Sequence, residues 1–221
     1  AGFRVTCCWR LVRNRLAVAL SFEHRAGGSP GRVAIFPGAW NPPTVAHVAI
    51  ARAALKWADE VVWMLPRTFP HKSFDGAAFE ARREMLRSLA ALEGGFSAAI
   101  SDANLHFRMA AEAREAYGSG PEIGIISGRD AAERIATWDY GEPGVFERML
   151  AEYPLLIAAR RGEYTPDPQH ADRILLLNLE QSFDEVSSTE IRKRVAEGGE
   201  WRHLVPEILI PQVASIYGGT K

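Results

Sequence analysis

Residues 32 to 57 constrain the fold more than any other stretch, because they join an apolar strand, a tight loop and a helix start. The strand is predicted over Val33 to Phe36. The loop after it contains Gly38, Asn41 and two prolines within a few residues, which is typical of a turn. Thr44 can cap the Ala-rich helix that follows. The chain therefore enters its first helix directly from a buried strand.

The start of this helix is a candidate anion site. The first turn of an α-helix has N–H groups without intrahelical acceptors and a partial positive charge. Thr44 and His47 are three residues apart, so their side chains share one face of that turn. A hydroxyl and an imidazole at this place suit a nucleotide phosphate. The alternative is a half-buried histidine on an ordinary helix, with Thr44 serving only as the cap.

The apolar pattern predicts an α/β fold with a parallel sheet. A second buried strand, Glu60 to Leu65, completes a βαβ unit with the first strand and helix. Further strands are predicted at 96–100, 123–127, 155–159 and 174–179, and further helices at 77–92, 104–117, 131–138, 145–152 and 205–217. One domain is expected over 32–221. Residues 1–31 are expected to form an arginine-rich extension, in which 5–12 and 16–22 could pair as a hairpin.

Several polar residues follow predicted strands, and ligands of open α/β sheets bind at the carboxyl ends of the strands. His71 and Lys72 follow the second strand and can meet a phosphate, although a solvated loop is an equal alternative. Gly128 and Asp130 follow the strand at 123–127. Asp130 can accept hydrogen bonds from ribose hydroxyls, or cap the next helix, or do both.

A second helix start lies near the end of the chain. Ser187 and Glu190 have the spacing of a capping box, so a helix is expected to begin there. Arg192 falls in the first turns of this helix, near its positive end. Taken alone, the pattern also fits a plain capped surface helix.

Composition excludes some classes of protein. The 221 residues include 26 Lys and Arg against 27 Asp and Glu, a formal net charge of −1. This charge does not favour nucleic acid or an anionic membrane, so any phosphate binding must come from a local site. Cys7 and Cys8 are the only cysteines and are adjacent, which fits neither a disulfide framework nor a zinc site. A reduced, cytoplasmic protein without a membrane span is expected.

Two motifs together resemble the nucleotidyltransferase superfamily. Its first motif, Gly-x-Phe-Asp-Pro-x-His/Thr-x-Gly-His, is matched by residues 38–47, and its second, Ile-Ser-Ser-Thr-x-Ile-Arg, by residues 186–192. Within the superfamily the chain is most similar to bacterial nicotinate-mononucleotide adenylyltransferases, over about residues 32 to 218. The resemblance implies a Rossmann-like parallel sheet with helices on both faces. It also implies adenylyl transfer from ATP to a pyridine mononucleotide, with release of pyrophosphate, in NAD biosynthesis.

The resemblance also implies site residues. Catalytic roles would fall to His47, Thr44, Lys72 and Arg192, with His47 stabilising the transition state. ATP would be bound by Phe36, Gly38, Asn41, His47, Gly128, Asp130, Ser187, Ser188, Thr189 and Arg192. The acceptor would be bound by Trp40, His71, Lys72, Trp138 and Arg160. Mg²⁺ would be held mainly by the ATP phosphates, so no protein metal site is expected.

The sequence departs from the family pattern at several positions. Asn41 replaces the usual Asp, Ala46 replaces the Gly, and Thr44 replaces the first His. A Tyr-Thr-x-Asp-Thr segment that contacts the nicotinate side has no match in residues 106–116. Three alternatives follow: another phosphorylated acceptor, an ATP-binding sensor without turnover, or a class I tRNA-synthetase fragment, which the second motif disfavours. The sequence leaves open whether the acceptor is nicotinate or nicotinamide mononucleotide, and whether the protein is a homo-oligomer.

Overall fold

The computed structural model of the chain describes residues 20–69, 76–137, 142–158 and 164–219. Seven strands are assigned in these residues: β1 Ser21–His24, β2 Arg32–Pro37, β3 Glu60–Pro66, β4 Phe96–Ser101, β5 Glu122–Gly128, β6 Leu155–Ala158 and β7 Ile174–Leu176. The α-helices are α1 Val45–Ala54, α2 Phe79–Ala90, α3 His106–Tyr117, α4 Arg129–Thr137, α5 Val145–Glu152, α6 Ser188–Glu197 and α7 Ile210–Tyr217.

The strands form one sheet in the order β1-β4-β3-β2-β5-β6-β7. Every neighbouring pair is parallel except β1 and β4. Alternate residues of β2 belong to two different cores: Ala34 and Phe36 pack with α1, α2, α6 and α7, whereas Val33 and Ile35 pack with α3, α4 and α5. Helices therefore cover both faces of the sheet, which confirms the predicted fold class.

The edge strand β1 comes from the segment that the sequence assigned to an extension. It pairs antiparallel with β4, and the Ala26 N–H donates to Ser97 Oγ at 2.7 Å. Glu23 also forms an ion pair with Arg83 of α2 at 2.7 Å. These contacts are between residues far apart in the chain, so no local pattern predicts them. The proposed hairpin falls mostly within residues 1–19, outside the described part, and the division at residue 31 stays a prediction.

The predicted helix at 205–217 is wrong in its extent. Arg202–Leu204 and Glu207–Leu209 form short 3-10 helices, and the α-helix begins only at Ile210. Pro206 precedes the second short helix, and Pro211 lies at the start of α7. A proline lacks the N–H that a helix interior requires but is accommodated in a first turn, so the regular helix starts late.

An opening forms where β2 and β5 separate. Their last paired residues are Ile35 and Ile125, although β2 stays paired with β3 up to Pro37 and β5 stays paired with β6 up to Gly128. The strand order also reverses between β2 and β5, since the chain moves outward on each side of them. In open α/β sheets, ligands bind in the crevice at such a switch point. The loops that follow β2 and β5 therefore flank the expected ligand site.

Candidate active site

The start of α1 is built by a reciprocal pair of hydrogen bonds. Thr44 is the N-cap, and its Oγ1 accepts from the His47 N–H at 3.3 Å. In return, His47 Nδ1 accepts from the Thr44 N–H at 3.0 Å. The predicted cap is confirmed, with a histidine in the role that Glu or Gln plays in the usual capping box. No acidic residue occupies the first turn, so the partial positive charge of this helix end is not offset from within the turn.

This capping arrangement decides which nitrogen of His47 carries a proton. An N–H can only donate, so Nδ1 must be unprotonated where it accepts from Thr44, and Thr44 Oγ1 lies 2.9 Å from the same nitrogen. The proton of the neutral imidazole is then on Nε2, which becomes a hydrogen-bond donor. His47 is partly exposed, whereas Thr44 is fully buried. The helix start thus fixes both the ring and its tautomer.

The loop between β2 and α1 is supported from below by Trp40. Its indole Nε1–H donates to the Met64 carbonyl at 2.9 Å, and the Gly38 N–H donates to the same oxygen at 3.1 Å. A Cβ at Gly38 would come within 2.5 Å of the Trp40 ring, so only glycine fits here. Trp40 itself has a φ of +53°, an uncommon value for a large side chain. The indole contacts hold this conformation.

Two predicted ligand contacts, Phe36 and Trp40, belong to an aromatic cluster beneath the loop. Phe36 lies 5.0 Å from Trp40 and 5.2 Å from Trp63, measured between ring centroids, and Trp40 lies 5.2 Å from the His47 ring. Trp40 is only 3% exposed. The rings of Phe36 and Trp40 therefore support the loop and His47, and their predicted contacts with ATP and the acceptor stay predictions.

The two motifs meet directly, although the contacting residues are 146 and 151 apart in the chain. Ser188 Oγ donates to the Pro42 carbonyl at 2.7 Å, and Arg192 Nη1 donates to the Asn41 carbonyl at 2.6 Å. Arg192 Nη2 also lies 3.4 Å from Thr189 Oγ1. The start of α6 therefore rests on the loop that leads into Thr44 and His47. Among the residues that the structure describes, no carboxylate is within ion-pair distance of Arg192.

The cap of α6 follows the sequence pattern only in part. Ser187 is the N-cap, and its Oγ accepts from the Glu190 N–H at 3.1 Å. The Glu190 carboxylate pairs with Arg194 at 2.7 Å instead of returning to the cap. A hydrogen bond from Arg194 is the main cause that lowers the pKa of Glu190. This acid is therefore engaged on the outer side of α6, and Arg192 carries the positive charge next to the loop.

Asn41 connects three segments through one side chain. Its Oδ1 accepts from the Ala77 N–H at 3.0 Å and from the Tyr217 hydroxyl at 2.6 Å, while its carbonyl accepts from Arg192. A Cβ at Gly76 would come within 2.2 Å of the Asn41 amide nitrogen, so the amide is packed tightly on that backbone. Asn41, predicted to contact ATP, is 6% exposed and holds the loop in place. Its predicted contact with ATP stays a prediction.

Arg82 and Tyr217 contact the loop before α1, although neither was predicted as a site residue. Arg82 is buried, donates to the Ala39 carbonyl at 3.3 Å and lies over the Phe69 ring at 5.5 Å. Burial is the main cause that lowers the pKa of Arg82, and Tyr217 acts in the opposite direction. The sequence could have indicated that Arg82 is buried, because it lies three residues after Phe79 and so falls on the apolar face of α2. Tyr217 ends a helix and carries no comparable signal.

The β5 side of the opening carries Gly128 and Asp130. Gly128 has no atom within 4 Å of a Cβ built on it, so its surroundings are open. Asp130 lies within the first turn of α4, which begins at Arg129, so the alternative N-cap role is wrong. Its side chain is 80% exposed and lies 3.6 Å from Arg129 Nε. Asp130 is therefore accessible at the carboxyl end of β5, across the opening from the loop after β2.

Four predicted contacts lie outside the described residues: His71, Lys72, Trp138 and Arg160. Among the described residues, no three His, Cys, Asp or Glu side chains are grouped so that they could hold a metal ion. Nor does the described part contain a helix that is long and apolar enough to cross a membrane.

A switch-point opening flanked by a capped helix start and a second, arginine-bearing helix start is the arrangement of a nucleotidyltransferase. The chain belongs to the cytidylyltransferase-like family, which matches residues 35–194, and it is an enzyme of the nucleotidyltransferase class. Its relatives include a probable nicotinate-nucleotide adenylyltransferase from Anaeromyxobacter dehalogenans strain 2CP-1, 33% identical over 84% of this chain and 95% of the relative. A protein of the same name from Thermus thermophilus is 29% identical over 79% of this chain and 92% of the relative.

Solved structures share the fold. The Plasmodium falciparum nicotinic acid mononucleotide adenylyltransferase complexed with NaAD superposes with a TM-score of 0.62 at 20% identity, over 83% of this chain and 95% of the other. The same enzyme complexed with APC gives a TM-score of 0.61 at 18% identity, over 84% of this chain and 95% of the other. At these identities the likeness concerns the fold.

Proposed function

We propose that this enzyme transfers the adenylyl group of ATP to the 5′-phosphate of nicotinate mononucleotide and releases pyrophosphate, a step of NAD biosynthesis. The observation that carries the proposal is the pair of hydrogen bonds that join the loop before α1 to the start of α6, from Ser188 to Pro42 and from Arg192 to Asn41. They bring an imidazole donor and a guanidinium to one edge of the sheet. The names of the relatives support nicotinate mononucleotide as the acceptor.

In the proposed reaction, an oxygen of the acceptor phosphate attacks the α-phosphorus of ATP. A new P–O–P bond forms as the bond between the α-phosphorus and the oxygen bridging to the β-phosphate breaks, and pyrophosphate carries away the electron pair. No covalent enzyme intermediate is needed. Such a reaction depends on positioning the two substrates and on stabilising the charge that develops on the phosphate oxygens.

His47 is proposed to donate from Nε2 to an oxygen of the reacting phosphate. Its Nδ1 is occupied by the capping bond from Thr44, so the donor is present at Nε2 before any substrate binds. Thr44 contributes by holding the ring through its N–H and hydroxyl. A donor fixed in this way loses little orientational freedom in the transition state, which is the condition under which such donors are most effective.

Arg192 and the start of α6 are proposed to hold the β and γ phosphates, which leave as pyrophosphate. The guanidinium is fixed at Nη1 by the Asn41 carbonyl, and Ser187, Ser188 and Thr189 form the first turn around it. Helix N-termini bind phosphate through their N–H groups and partial charge. A guanidinium adds a charge that cannot be lost at ordinary pH.

The adenosine end is proposed to lie along the opening between β2 and β5, with Gly38 and Gly128 allowing close approach and Asp130 binding the ribose. The exposed Asp130 carboxylate at the end of β5 supports this placement. Acceptor contacts by His71, Lys72, Trp138 and Arg160, and a charge supplied by Lys72 to the β and γ phosphates, remain predictions from the family resemblance.

Mg²⁺ is proposed to enter with ATP. The described residues contain no group of three metal-binding side chains, and Mg²⁺ commonly keeps water and substrate phosphate as most of its ligands. The phosphate oxygens would therefore hold the ion, whose charge would offset that of the triphosphate. The residues of the site fit this arrangement, in which the protein binds the phosphates and the phosphates bind Mg²⁺. The side of α6 next to the loop presents Arg192, whose guanidinium binds phosphate oxygens and not metal.

The test is pyrophosphate release with Mg·ATP and one acceptor at a time: nicotinate mononucleotide, nicotinamide mononucleotide or phosphopantetheine. We expect the highest kcat/KM with nicotinate mononucleotide. A His47→Ala variant should lose activity by about 10²- to 10³-fold, the loss seen when a preorganised donor is removed. A His203→Ala variant, which removes an exposed histidine, is the matched control and should retain activity.

Three outcomes would contradict the proposal. Preference for nicotinamide mononucleotide would change the acceptor within the pyridine mononucleotides, and preference for phosphopantetheine would place it in another class. ATP binding without pyrophosphate release from any of the three acceptors would indicate a sensor. Near-normal turnover by His47→Ala would exclude His47 from the chemistry.

A further inference from the structure

We propose that Tyr217 is a positioning residue for adenylyl transfer, acting through Asn41 on Arg192. The proposal rests on the function proposed above, because it concerns how the guanidinium that meets the triphosphate is held. Tyr217 is the last residue of α7 and lies 176 residues from Asn41 of the first motif. Nevertheless its hydroxyl reaches Asn41, in the loop of the first motif that the second motif also contacts.

Tyr217 contacts the side chain of Asn41 directly. The Tyr217 hydroxyl and the Ala77 N–H both lie within hydrogen-bond distance of Asn41 Oδ1, at 2.6 and 3.0 Å. Because the Ala77 N–H can only donate, the atom it meets must be the amide oxygen, which fixes the orientation of the amide. Tyr217 must then donate to the same oxygen. The side chain of Asn41 is therefore held by two donors from two different segments.

Asn41 in turn contacts Arg192. The carbonyl of Asn41 accepts from Arg192 Nη1 at 2.6 Å, so the residue that receives the Tyr217 hydroxyl also positions the guanidinium. Gly76 packs against the Asn41 amide, which leaves the side chain little space to shift. Asn41 is buried. A displacement of its side chain would move the carbonyl, and with it one of the two hydrogen bonds that orient Arg192.

Burial and two nearby arginines determine the protonation of the Tyr217 hydroxyl. Burial raises the pKa of Tyr217, while Arg192 and Arg82 oppose this shift to a smaller extent. The hydroxyl therefore stays protonated at neutral pH and remains the donor that Asn41 requires. A neutral donor near the Arg192 and Arg82 guanidinium groups does not offset their charge, which stays available to a bound polyphosphate.

The hydroxyl is separable from the packing of α7. The contacts of this helix with the core come from Val213, Ile210, Ile216 and the Tyr217 ring. A Tyr217→Phe variant keeps the ring and removes only the hydrogen bond. Its effect on stability is expected to match that of Tyr153→Phe, in which a buried tyrosine of the β6 side loses a hydroxyl that interacts with Glu152.

A double-mutant cycle on the full chain tests the proposal. Tyr217→Phe should weaken Mg·ATP binding, measured by calorimetry, by about fivefold, the usual worth of one hydrogen bond, with little change in the KM for the acceptor. In an Arg192→Ala background the same change should have no further effect, because the group on which Tyr217 acts is absent. Tyr153→Phe should leave ATP affinity unchanged in both backgrounds.

Two results would overturn the proposal: equal effects of Tyr217→Phe with and without Arg192, or equal losses from Tyr217→Phe and Tyr153→Phe. An Asn41→Asp variant provides a second test, since a carboxylate accepts both hydrogen bonds and the coupling between Tyr217 and Arg192 should persist. Loss of that coupling would also count against the proposal. Pyrophosphate release by the wild type separates this question from the proposed function. If the wild type released no pyrophosphate with any acceptor, the proposed reaction would be refuted. The double-mutant cycle, which is measured from ATP affinity, would still decide the role of Tyr217.

Discussion

His47 uses its two ring nitrogens for different purposes. Nδ1 completes the cap of α1 by accepting from Thr44, and this commitment leaves Nε2 as the proton-bearing donor. The spacing of Thr44 and His47 predicts that they share a face of the helix, and the structure confirms this. The direction of the imidazole could not be predicted, because Glu and Gln are the usual partners in a capping box and the sequence does not show which nitrogen faces the backbone.

Substituting His47 by Asn and by Gln separates the two purposes. The Asn side-chain oxygen corresponds to Nδ1, so His47→Asn should keep the cap and the free energy of unfolding but lose the donor at Nε2. We expect its kcat to fall by about 10²- to 10³-fold. The amide nitrogen of Gln extends to the position of Nε2, so His47→Gln should retain more activity and lose stability instead. Steady-state kinetics and urea unfolding of both variants measure the two quantities. A kcat of His47→Asn close to the wild-type value would show that the donor at Nε2 does not contribute to turnover.

The strands near the centre of the sheet are the elements that the sequence predicts best. β3, for example, was expected at 60–65 and is found at Glu60–Pro66. Central parallel strands are buried on both faces, so they appear as continuous apolar runs. An extended segment was expected at 16–22, but the pairing of β1 with β4 could not be predicted, since it depends on residues far apart in the chain, as does the ion pair between Glu23 and Arg83. The contacts between the loop before α1 and α6 were likewise beyond local pattern, and only the resemblance brought the two motifs together.

The start of α3 gives a prediction for stability. Burial, and to a smaller extent Arg134, lowers the pKa of His106 from 6.5 to about 4. His106 is also the first residue of the helix, where a positive charge is disfavoured by the helix dipole. The unfolded chain takes up this proton as the pH falls through 6.5, whereas the folded chain stays neutral down to about 4. The contribution is therefore fully present above pH 6.5 and is lost as the pH falls toward 4.

A His106→Asn variant isolates this effect. The difference in the free energy of unfolding between wild type and variant should be constant above pH 7. It should then shift against the wild type by on the order of 2–3 kcal/mol between pH 6.5 and 4. Urea unfolding at a series of pH values gives the difference directly, and other titrating groups cancel in it. A difference that does not change with pH would show that His106 titrates alike in the folded and unfolded chains.

At the level of the whole molecule, the site depends on contacts that join the two ends of the described chain. Asn41 receives hydrogen bonds from Ala77, Tyr217 and Arg192, which belong to the α2 side, the C-terminal helix and α6. The family pattern has Asp at this position, and the Ala77 N–H and the Tyr217 hydroxyl both donate to the Asn41 side-chain oxygen. This explains why an amide can serve where a carboxylate is usual. Asn41 in place of Asp was one reason to consider an ATP-binding sensor without turnover. The substitution nevertheless keeps a hydrogen-bond acceptor at the same position.

The central claim is that the acceptor attacks the α-phosphorus of ATP, and isotope labelling tests it most directly. The enzyme would be supplied with nicotinate mononucleotide and Mg·ATP labelled with ³²P at either the α or the γ position, and the products separated by chromatography. We predict that the α label appears in a dinucleotide and the γ label in pyrophosphate, in equal amounts. Appearance of the γ label as orthophosphate or on the acceptor, with the α label retained in ADP, would show hydrolysis or γ-phosphoryl transfer and contradict the claim.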